Sequence, residues 1–178
     1  MVPTSHLLAF LGVTAVIVAI PGPSIMFTVS RALTAGRRTA LLTVVGNALG
    51  LVVQVVAVAF GLGALVERSV EVFTVLKLAG AAYLIYLGVQ AIRHRSSLAE
   101  AVANRVQPLS PLRAVRDGAV VGAMNPKTIA VMVAILPQFT VPAAGHLVVQ
   151  LLAPGLLFPM IALVLDSVWA LAAGTAGQ

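Results

Sequence analysis

Residues 7–30 read LLAFLGVTAVIVAIPGPSIMFTVS, an uncharged apolar run that is interrupted by Pro21, Gly22 and Pro23. A membrane-spanning helix needs about 20 mostly apolar residues, so this run is long enough to cross a bilayer. Proline removes a backbone donor and clashes with the carbonyl four residues earlier. The run therefore predicts a first membrane span with a break inside it. It lacks the basic start and the cleavage site of a signal peptide, so we expect the span to be retained.

The rest of the chain has the composition of an integral membrane protein. Of its 178 residues, 60% are hydrophobic and only 9% are charged, whereas soluble domains carry about 25% charged residues. Four further apolar runs follow the first, and Pro137, Pro142 and Gly145 divide the last two from each other. Five membrane spans are predicted, near residues 7–30, 39–66, 72–92, 118–139 and 146–173.

The basic residues predict the orientation of these spans. Eight of the 11 lie in the segments that join spans one to two and spans three to four. The positive-inside rule makes these segments cytoplasmic and places the N-terminus outside. The net charge of +6 then reflects loops that face anionic lipid, and we do not expect a nucleic-acid partner. The eight residues are Arg31, Arg37, Arg38, Arg93, Arg95, Arg105, Arg113 and Arg116.

A second break, formed by Asn125, Pro126 and Lys127, interrupts the fourth span. If the chain holds two three-span halves, spans one and four are their first members, and an odd number of spans gives the halves opposite orientations. Irregular backbone within a membrane survives where protein or a water-filled cavity satisfies it. Matched breaks in inverted repeats mark the binding sites of transporters. Two ordinary proline kinks are the alternative, which the matched positions and the buried lysine disfavour.

These features predict an all-α integral membrane protein with a single transporter domain over residues 1–178. Its first three-helix repeat covers residues 1–92 and its second covers residues 112–178. The polar segment 93–111 between them is expected to be a cytoplasmic loop.

A set of motifs in a fixed order resembles the lysine exporter and homoserine/threonine exporter family (LysE/RhtB) of bacterial inner-membrane transporters. The motifs are PGP at 21–23, AGRR at 35–38, GNALG at 46–50, KLAGAAYLIYLG at 77–88, NPK at 125–127 and LPQF at 136–139. The resemblance covers nearly the whole chain. It implies a six-helix fold and the export of amino acids or related small metabolites, driven by the proton gradient. It also implies a sixth helix, which these 178 residues do not include, so the second repeat is expected to lack its last helix.

Asp166 is the one acidic residue well inside a predicted span. A charge at the centre of a bilayer costs at least about 2.5 kcal/mol, so such residues usually face a cavity or a partner. We therefore expect Asp166 to bind a proton or the ammonium group of a substrate. The alternative is a carboxylate near the cytoplasmic end of span five that simply reaches water.

Other polar residues of the spans are expected to line the same pathway. Lys127 has three candidate roles: to neutralise Asp166, to hold a substrate carboxylate, or to donate to freed backbone carbonyls. Asn47 and Asn125 either satisfy the broken backbone or contact an amino-acid zwitterion, and Gln54 follows Asn47 on the same helical face.

The first break itself is a candidate anion site. A helix that restarts at Ser24 presents unpaired backbone donors and the positive end of its dipole. Such a helix start suits a substrate carboxylate. We therefore include Pro21, Gly22, Pro23 and Ser24 in the expected substrate pathway.

Two pairs of glycines have the spacing of closely packed membrane helices. Gly46 and Gly50 form one pair, and Gly118 and Gly122 form the other. Close packing within the chain is the preferred interpretation, and a homodimer that uses the same spacing is the alternative.

The sequence does not suggest an enzyme. It has no cysteine, its three histidines lie far apart, and it contains neither GxSG nor HExxH. We expect no cofactor and no metal site. A metal-cation exporter of similar fold is the nearest alternative to an amino-acid exporter, although divalent ions prefer more oxygen or imidazole ligands. A shortened membrane protein without transport activity is the other alternative.

Overall fold

The computed structural model describes residues 4–68, 70–93, 109–141 and 145–176. These residues form helices and no strand, which confirms the all-α class. Most of the predicted loop at 93–111 lies outside the described residues. The helices are α1 (Thr4–Ala19), α2 (Pro23–Arg68), α3 (Val70–Arg93), α4 (Pro111–Ala123), α5 (Pro126–Ala134), α6 (Leu147–Gly155) and α7 (Leu157–Ala176), with a 3-10 turn at Leu136–Phe139.

Helix α2 folds back on itself at Gly36. The φ angle of Gly36 is +84° and its ψ angle is 167°, a conformation that glycine adopts without a steric penalty. Ser24 and Asn47 lie 23 positions apart, which would separate them by about 35 Å along a straight helix. Their side chains are 2.9 Å apart, so the arms 23–35 and 37–68 run antiparallel. The reversal coincides with the turn that is predicted between the first two spans.

The described residues include helices that are long and apolar enough to cross a membrane. By length and composition these are Pro23–Leu62, which includes the reversal at Gly36, and Leu147–Thr175. Helices α4 and α5 add a third when they are taken with the 3-10 turn as one span with a bend of 42°, and Leu8–Ala19 is a shorter apolar helix. The prediction of a helical membrane protein is confirmed at this level, and the count of five spans stays a prediction.

The glycine pairs allow the second arm of α2 to pack directly on α4. A Cβ added to any of the four glycines would overlap a backbone carbonyl of the opposite helix. The small-residue spacing therefore serves close packing within the chain, as the preferred interpretation predicts. The contacts are Gly46 to Val115, Gly50 to Ala119, Gly118 to Thr43 and Gly122 to Asn47.

Two apolar clusters flank a polar layer along α2 and α7. In α2, Asn47 lies between Val44 of the smaller cluster and Leu51 of the larger one. In α7, Asp166 likewise lies between the two clusters, which are represented there by Ala162 and Ala170. Along these two helices a polar layer therefore lies between two apolar clusters. The larger cluster includes Phe10, Val55, Met132, Leu136, Leu151 and Phe158.

Candidate functional site

The two sequence breaks are gaps between helices, and each following helix begins with a proline. Helix α1 ends at Ala19 and α2 begins at Pro23, while α4 ends at Ala123 and α5 begins at Pro126. Proline suits the first helical position because its missing N–H would have no partner there. Pro21 and Gly22 therefore lie in the first link.

Asn125 caps the N-terminus of α5. Its Oδ1 accepts a hydrogen bond of 3.1 Å from the backbone N–H of Lys127, which satisfies one of the unpaired donors at the helix start. Because this bond fixes the orientation of the amide, the Nδ2 of Asn125 is left to donate elsewhere. The N-cap thus determines the direction of the hydrogen bonds that follow.

A chain of three hydrogen bonds runs from Asn125 to Asp166. Asn125 Nδ2 donates to Ser24 Oγ at 2.7 Å, and Ser24 Oγ donates to Asn47 Oδ1 at 2.9 Å. Asn47 Nδ2 then donates to Asp166 Oδ2 at 3.1 Å. All four side chains are at most 8% exposed. The chain links both breaks to α7, and every donor in it points toward the carboxylate.

Asp166 is 2% exposed and has one carboxylate oxygen in this chain of hydrogen bonds. Its other oxygen makes no hydrogen bond with a described residue. A buried carboxylate is expensive unless it is paired or protonated. The free oxygen is therefore the natural position for a proton or for the ammonium group of a ligand.

Lys127 donates to the backbone carbonyls that the first break leaves free. Its Nζ lies 2.6 Å from the oxygen of Ile17 and 2.7 Å from the oxygen of Ile20. Of the three roles considered for Lys127, this conformation shows the structural one. No ion pair within 4.0 Å joins Lys127 to Asp166 among the described residues. Gly22 permits the arrangement, because a Cβ there would lie 3.1 Å from Cδ of Lys127.

Gln54 forms hydrogen bonds with the backbone at the second break. Its Nε2 donates to the carbonyl oxygen of Ala123 at 3.1 Å and to that of Asn125 at 3.2 Å. The carbonyl of Ala123 is freed where α4 ends, whereas the carbonyl of Asn125 also accepts a hydrogen bond from the backbone N–H of Ile129 in α5. Gln54 thus holds the irregular backbone in place from the second arm of α2.

A small cavity lies between the two breaks, and six of the nine predicted residues line it. Its volume is about 30 Å³, room for about two water molecules. Pro21, Pro23 and Gln54 are not among its lining residues. The polar lining residues include Ser24, Asn47, Asn125, Lys127, Thr128 and Asp166, and Gly22 and Phe158 contribute to the wall.

Sequence reasoning missed an ion pair on one side of this cavity. Arg31 at the end of the first arm of α2 lies 3.3 Å from Asp117 of α4. It also missed Thr28, which is 1% exposed and whose hydroxyl has no hydrogen-bond partner in the part of the chain that the structure describes. The spacing of Ser24, Thr28 and Arg31 in the sequence could have indicated these residues, because it places all three on one face of a helix.

Comparison with known proteins gives a family match over most of the chain. The family model described as LysE type translocator matches residues 15–178. An uncharacterized membrane protein of Vibrio cholerae is 36% identical over 139 residues, which cover 78% of this chain and 67% of the relative. A homoserine/homoserine lactone efflux protein of Salmonella typhimurium is 36% identical over 127 residues, which cover 71% of this chain and 61% of the relative. No solved structure matches the chain. The chain thus spans about two thirds or less of the length of these relatives.

Proposed function

The chain belongs to the LysE type translocator family, and from this membership we propose that it exports small amino acids and related metabolites across the bacterial inner membrane. The observation that carries the proposal is the chain of hydrogen bonds from Asn125 through Ser24 and Asn47 to Asp166. It joins two helix breaks beside a small cavity, and such breaks are where secondary transporters bind substrate.

The proposed topology follows the five predicted spans and the positive-inside rule. The first span comprises α1 and residues 23–35, and the second lies within residues 37–68. Helix α3 forms the third span, α4 and α5 the fourth, and α6 and α7 the fifth. In this arrangement the N-terminus is outside, and Arg31 and Asp117 lie on the cytoplasmic side of the cavity. Contact between the breaks supports two inverted three-helix halves.

The proposed substrate carries an ammonium group next to a carbonyl or carboxylate. The free oxygen of Asp166 suits the ammonium group, because a cation beside a buried carboxylate offsets the free-energy cost of its burial. The start of α5 suits the opposite end of the molecule. The efflux proteins of Salmonella named for homoserine and its lactone are consistent with this class, since both compounds share the α-ammonium group.

The cavity is too small for an amino acid in this conformation. With room for about two water molecules, it must widen before a substrate enters. We infer a substrate-free state in which the hydrogen-bond chain holds the two breaks together. Opening toward one side and then the other would let the site alternate in access.

We further propose that export is coupled to the movement of protons. Asp166 can carry a proton in one half of the cycle and pair with the substrate ammonium in the other, because one oxygen remains outside the hydrogen-bond chain. An export stroke that exchanges substrate for a proton would follow. A metal-cation exporter fits less well, since the ammonium of Lys127 lines the same cavity and repels a divalent ion.

The proposal is tested by transport into inside-out membrane vesicles that contain the chain. We expect uptake of radiolabelled homoserine when a proton gradient, acidic inside, is imposed, and no uptake when an uncoupler dissipates it. Vesicles with Ser24→Ala should take up substrate more slowly at equal protein content. Uptake that is equal in vesicles with and without the chain would contradict the function.

A further inference from the structure

A line of polar side chains runs away from the cavity along the first arm of α2. Ser24, Thr28 and Arg31 occupy positions i, i+4 and i+7 of this arm and therefore share one helical face. Ser24 lines the cavity, Thr28 is 1% exposed, and the side chain of Arg31 is 13% exposed. The line leads toward Gly36, where the arm ends. Thr28 and Arg31 take no part in the hydrogen-bond chain of the cavity.

The guanidinium of Arg31 uses only part of its hydrogen-bonding capacity on the carboxylate of Asp117. One of its terminal nitrogens lies 3.3 Å from Oδ2 of Asp117, and its plane lies over the ring of Phe27 at 4.8 Å. Its Nε is buried without a hydrogen-bond partner in the described residues. Because a guanidinium binds a carboxylate best through two parallel bonds, Asp117 leaves part of the donor set unused.

Asp117 has other cations to return to if Arg31 releases it. Arg113 lies 3.9 Å away and Arg116 lies 3.2 Å away, both on α4 itself. The side chains of these two arginines are 62% and 69% exposed, so they can follow the carboxylate into water. Release of Arg31 therefore leaves no buried charge on α4 unpaired. The ion pair between Arg31 and Asp117 can therefore separate at a small cost in free energy, provided that Arg31 finds another anion.

We propose that Thr28 and Arg31 form a second subsite, which binds the carboxylate of the substrate on the cytoplasmic side of the cavity. Asp117 occupies this subsite until the substrate carboxylate displaces it. The incoming carboxylate takes both Nε and a terminal nitrogen of Arg31, and the hydroxyl of Thr28 donates a further hydrogen bond. This subsite deepens the proposed function and rests on it, because it lies between the cytoplasm and the cavity only in the proposed orientation.

The first test measures access to Thr28 without any transport. Since the chain has no cysteine, Thr28→Cys supplies a single thiol, and its reaction rate with an anionic methanethiosulfonate reagent can be followed in inside-out vesicles. We expect Asp117→Asn in this background to raise the rate roughly fivefold or more, because it removes the anion that occupies Arg31. Asp117→Glu is the matched control, since it keeps an anion at this position beside Arg31 and should leave the rate close to that of the Thr28→Cys background. Equal rates with and without Asp117 would overturn the subsite.

The second test separates recognition of a carboxylate from general damage to the protein. In inside-out vesicles, Arg31→Gln should raise the half-saturating concentration of homoserine roughly tenfold, through the loss of charged hydrogen bonds. Homoserine lactone has no carboxylate, so its half-saturating concentration should not change. Equal losses for both compounds, or none for homoserine, would refute the proposal. If the unmodified chain carries neither compound, the proposed function fails, and the labelling rates still decide whether Asp117 closes the path to Thr28.

Discussion

The side chains of Ser24 and Asn125, 101 positions apart in the chain, are joined by a hydrogen bond of 2.7 Å. Each residue belongs to one of the two helix breaks, and each is less than 9% exposed. The bond therefore connects the halves of the molecule at the point where their backbones are irregular. Because Asn125 also caps α5, its amide nitrogen donates to Ser24, and the next two hydrogen bonds run in the same direction through Asn47 to Asp166.

This bond predicts energetic coupling between the two breaks. Ser24→Ala and Asn125→Ala should each destabilise the protein, and their combined effect should fall short of the sum by about 0.5–3 kcal/mol, because either change removes the same bond. The stabilities of the unmodified protein, the two single variants and the double variant can be compared by thermal unfolding in detergent. As a control, Ser24→Ala combined with Ser110→Ala, which removes the distant N-cap of α4, should be additive. Additive effects in the Ser24 and Asn125 pair would show that the contact contributes nothing.

Lys127 is predicted to act mainly on stability. Lys127→Met leaves the carbonyls of the half-buried Ile17 and the exposed Ile20 without their donor, which should cost about 0.5–1.5 kcal/mol for each lost hydrogen bond. The midpoint of thermal unfolding should therefore fall. Substrate affinity of the protein that remains folded, measured by binding in detergent, should change little. A large loss of affinity at unchanged stability would instead assign Lys127 to the substrate carboxylate.

The crossing of α2 and α4 should not tolerate a single methyl group. Gly118→Ala puts a Cβ onto the carbonyl of Thr43, and overpacking of this kind costs typically about 1–3 kcal/mol. Gly61→Ala is the matched control, because nothing lies within 4 Å of its added Cβ and alanine favours the helix by about 0.5–1 kcal/mol. Thermal unfolding should separate the two variants clearly. A Gly118→Ala protein as stable as Gly61→Ala would contradict the close crossing.

The orientation can be tested with single cysteines. Ser110→Cys and His146→Cys should react with a membrane-impermeant thiol reagent from opposite sides, because both positions are exposed at the ends of helical segments. We expect His146→Cys to react in intact cells and Ser110→Cys only in inside-out vesicles. The reverse pattern would invert the topology and move Arg31 to the outer side.

Much of this arrangement can be predicted from local sequence. The breaks follow from Pro21, Pro23 and Pro126, whose backbone restrictions act wherever the residue lies. The reversal at Gly36 and the membrane helices follow from composition in the same way. Asn47 and Asp166 stand out because polar groups are costly within an apolar span.

The pairing of distant side chains is less predictable. Arg31 meets Asp117 because α2 packs against α4, and the glycines that permit this crossing do not specify its register. Gln54 shares a helical face with Asn47, which suggests a place in the cavity. It instead bonds to the carbonyls of Ala123 and Asn125, since the broken backbone offers acceptors that the sequence pattern does not reveal.

The central claim is that Asp166 is the working carboxylate of the transport cycle. Asp166→Asn keeps the shape of the side chain and its contact with Asn47, and removes the charge and the proton site. In liposomes we expect this variant to lose proton-driven uphill export while it remains inserted and folded. Ser167→Ala, which changes the adjacent residue of α7, should keep the normal rate.

The most direct measurement compares uphill export with counterflow exchange in the same Asp166→Asn liposomes. Counterflow requires substrate binding but no net movement of protons. Loss of uphill export with exchange retained would assign Asp166 to the proton, and loss of both would assign it to the substrate ammonium as well. In both cases Asp166→Asn loses uphill export, as we predict. Uphill export at the full rate of the unmodified protein would show that Asp166 has only a structural role, and would contradict the account.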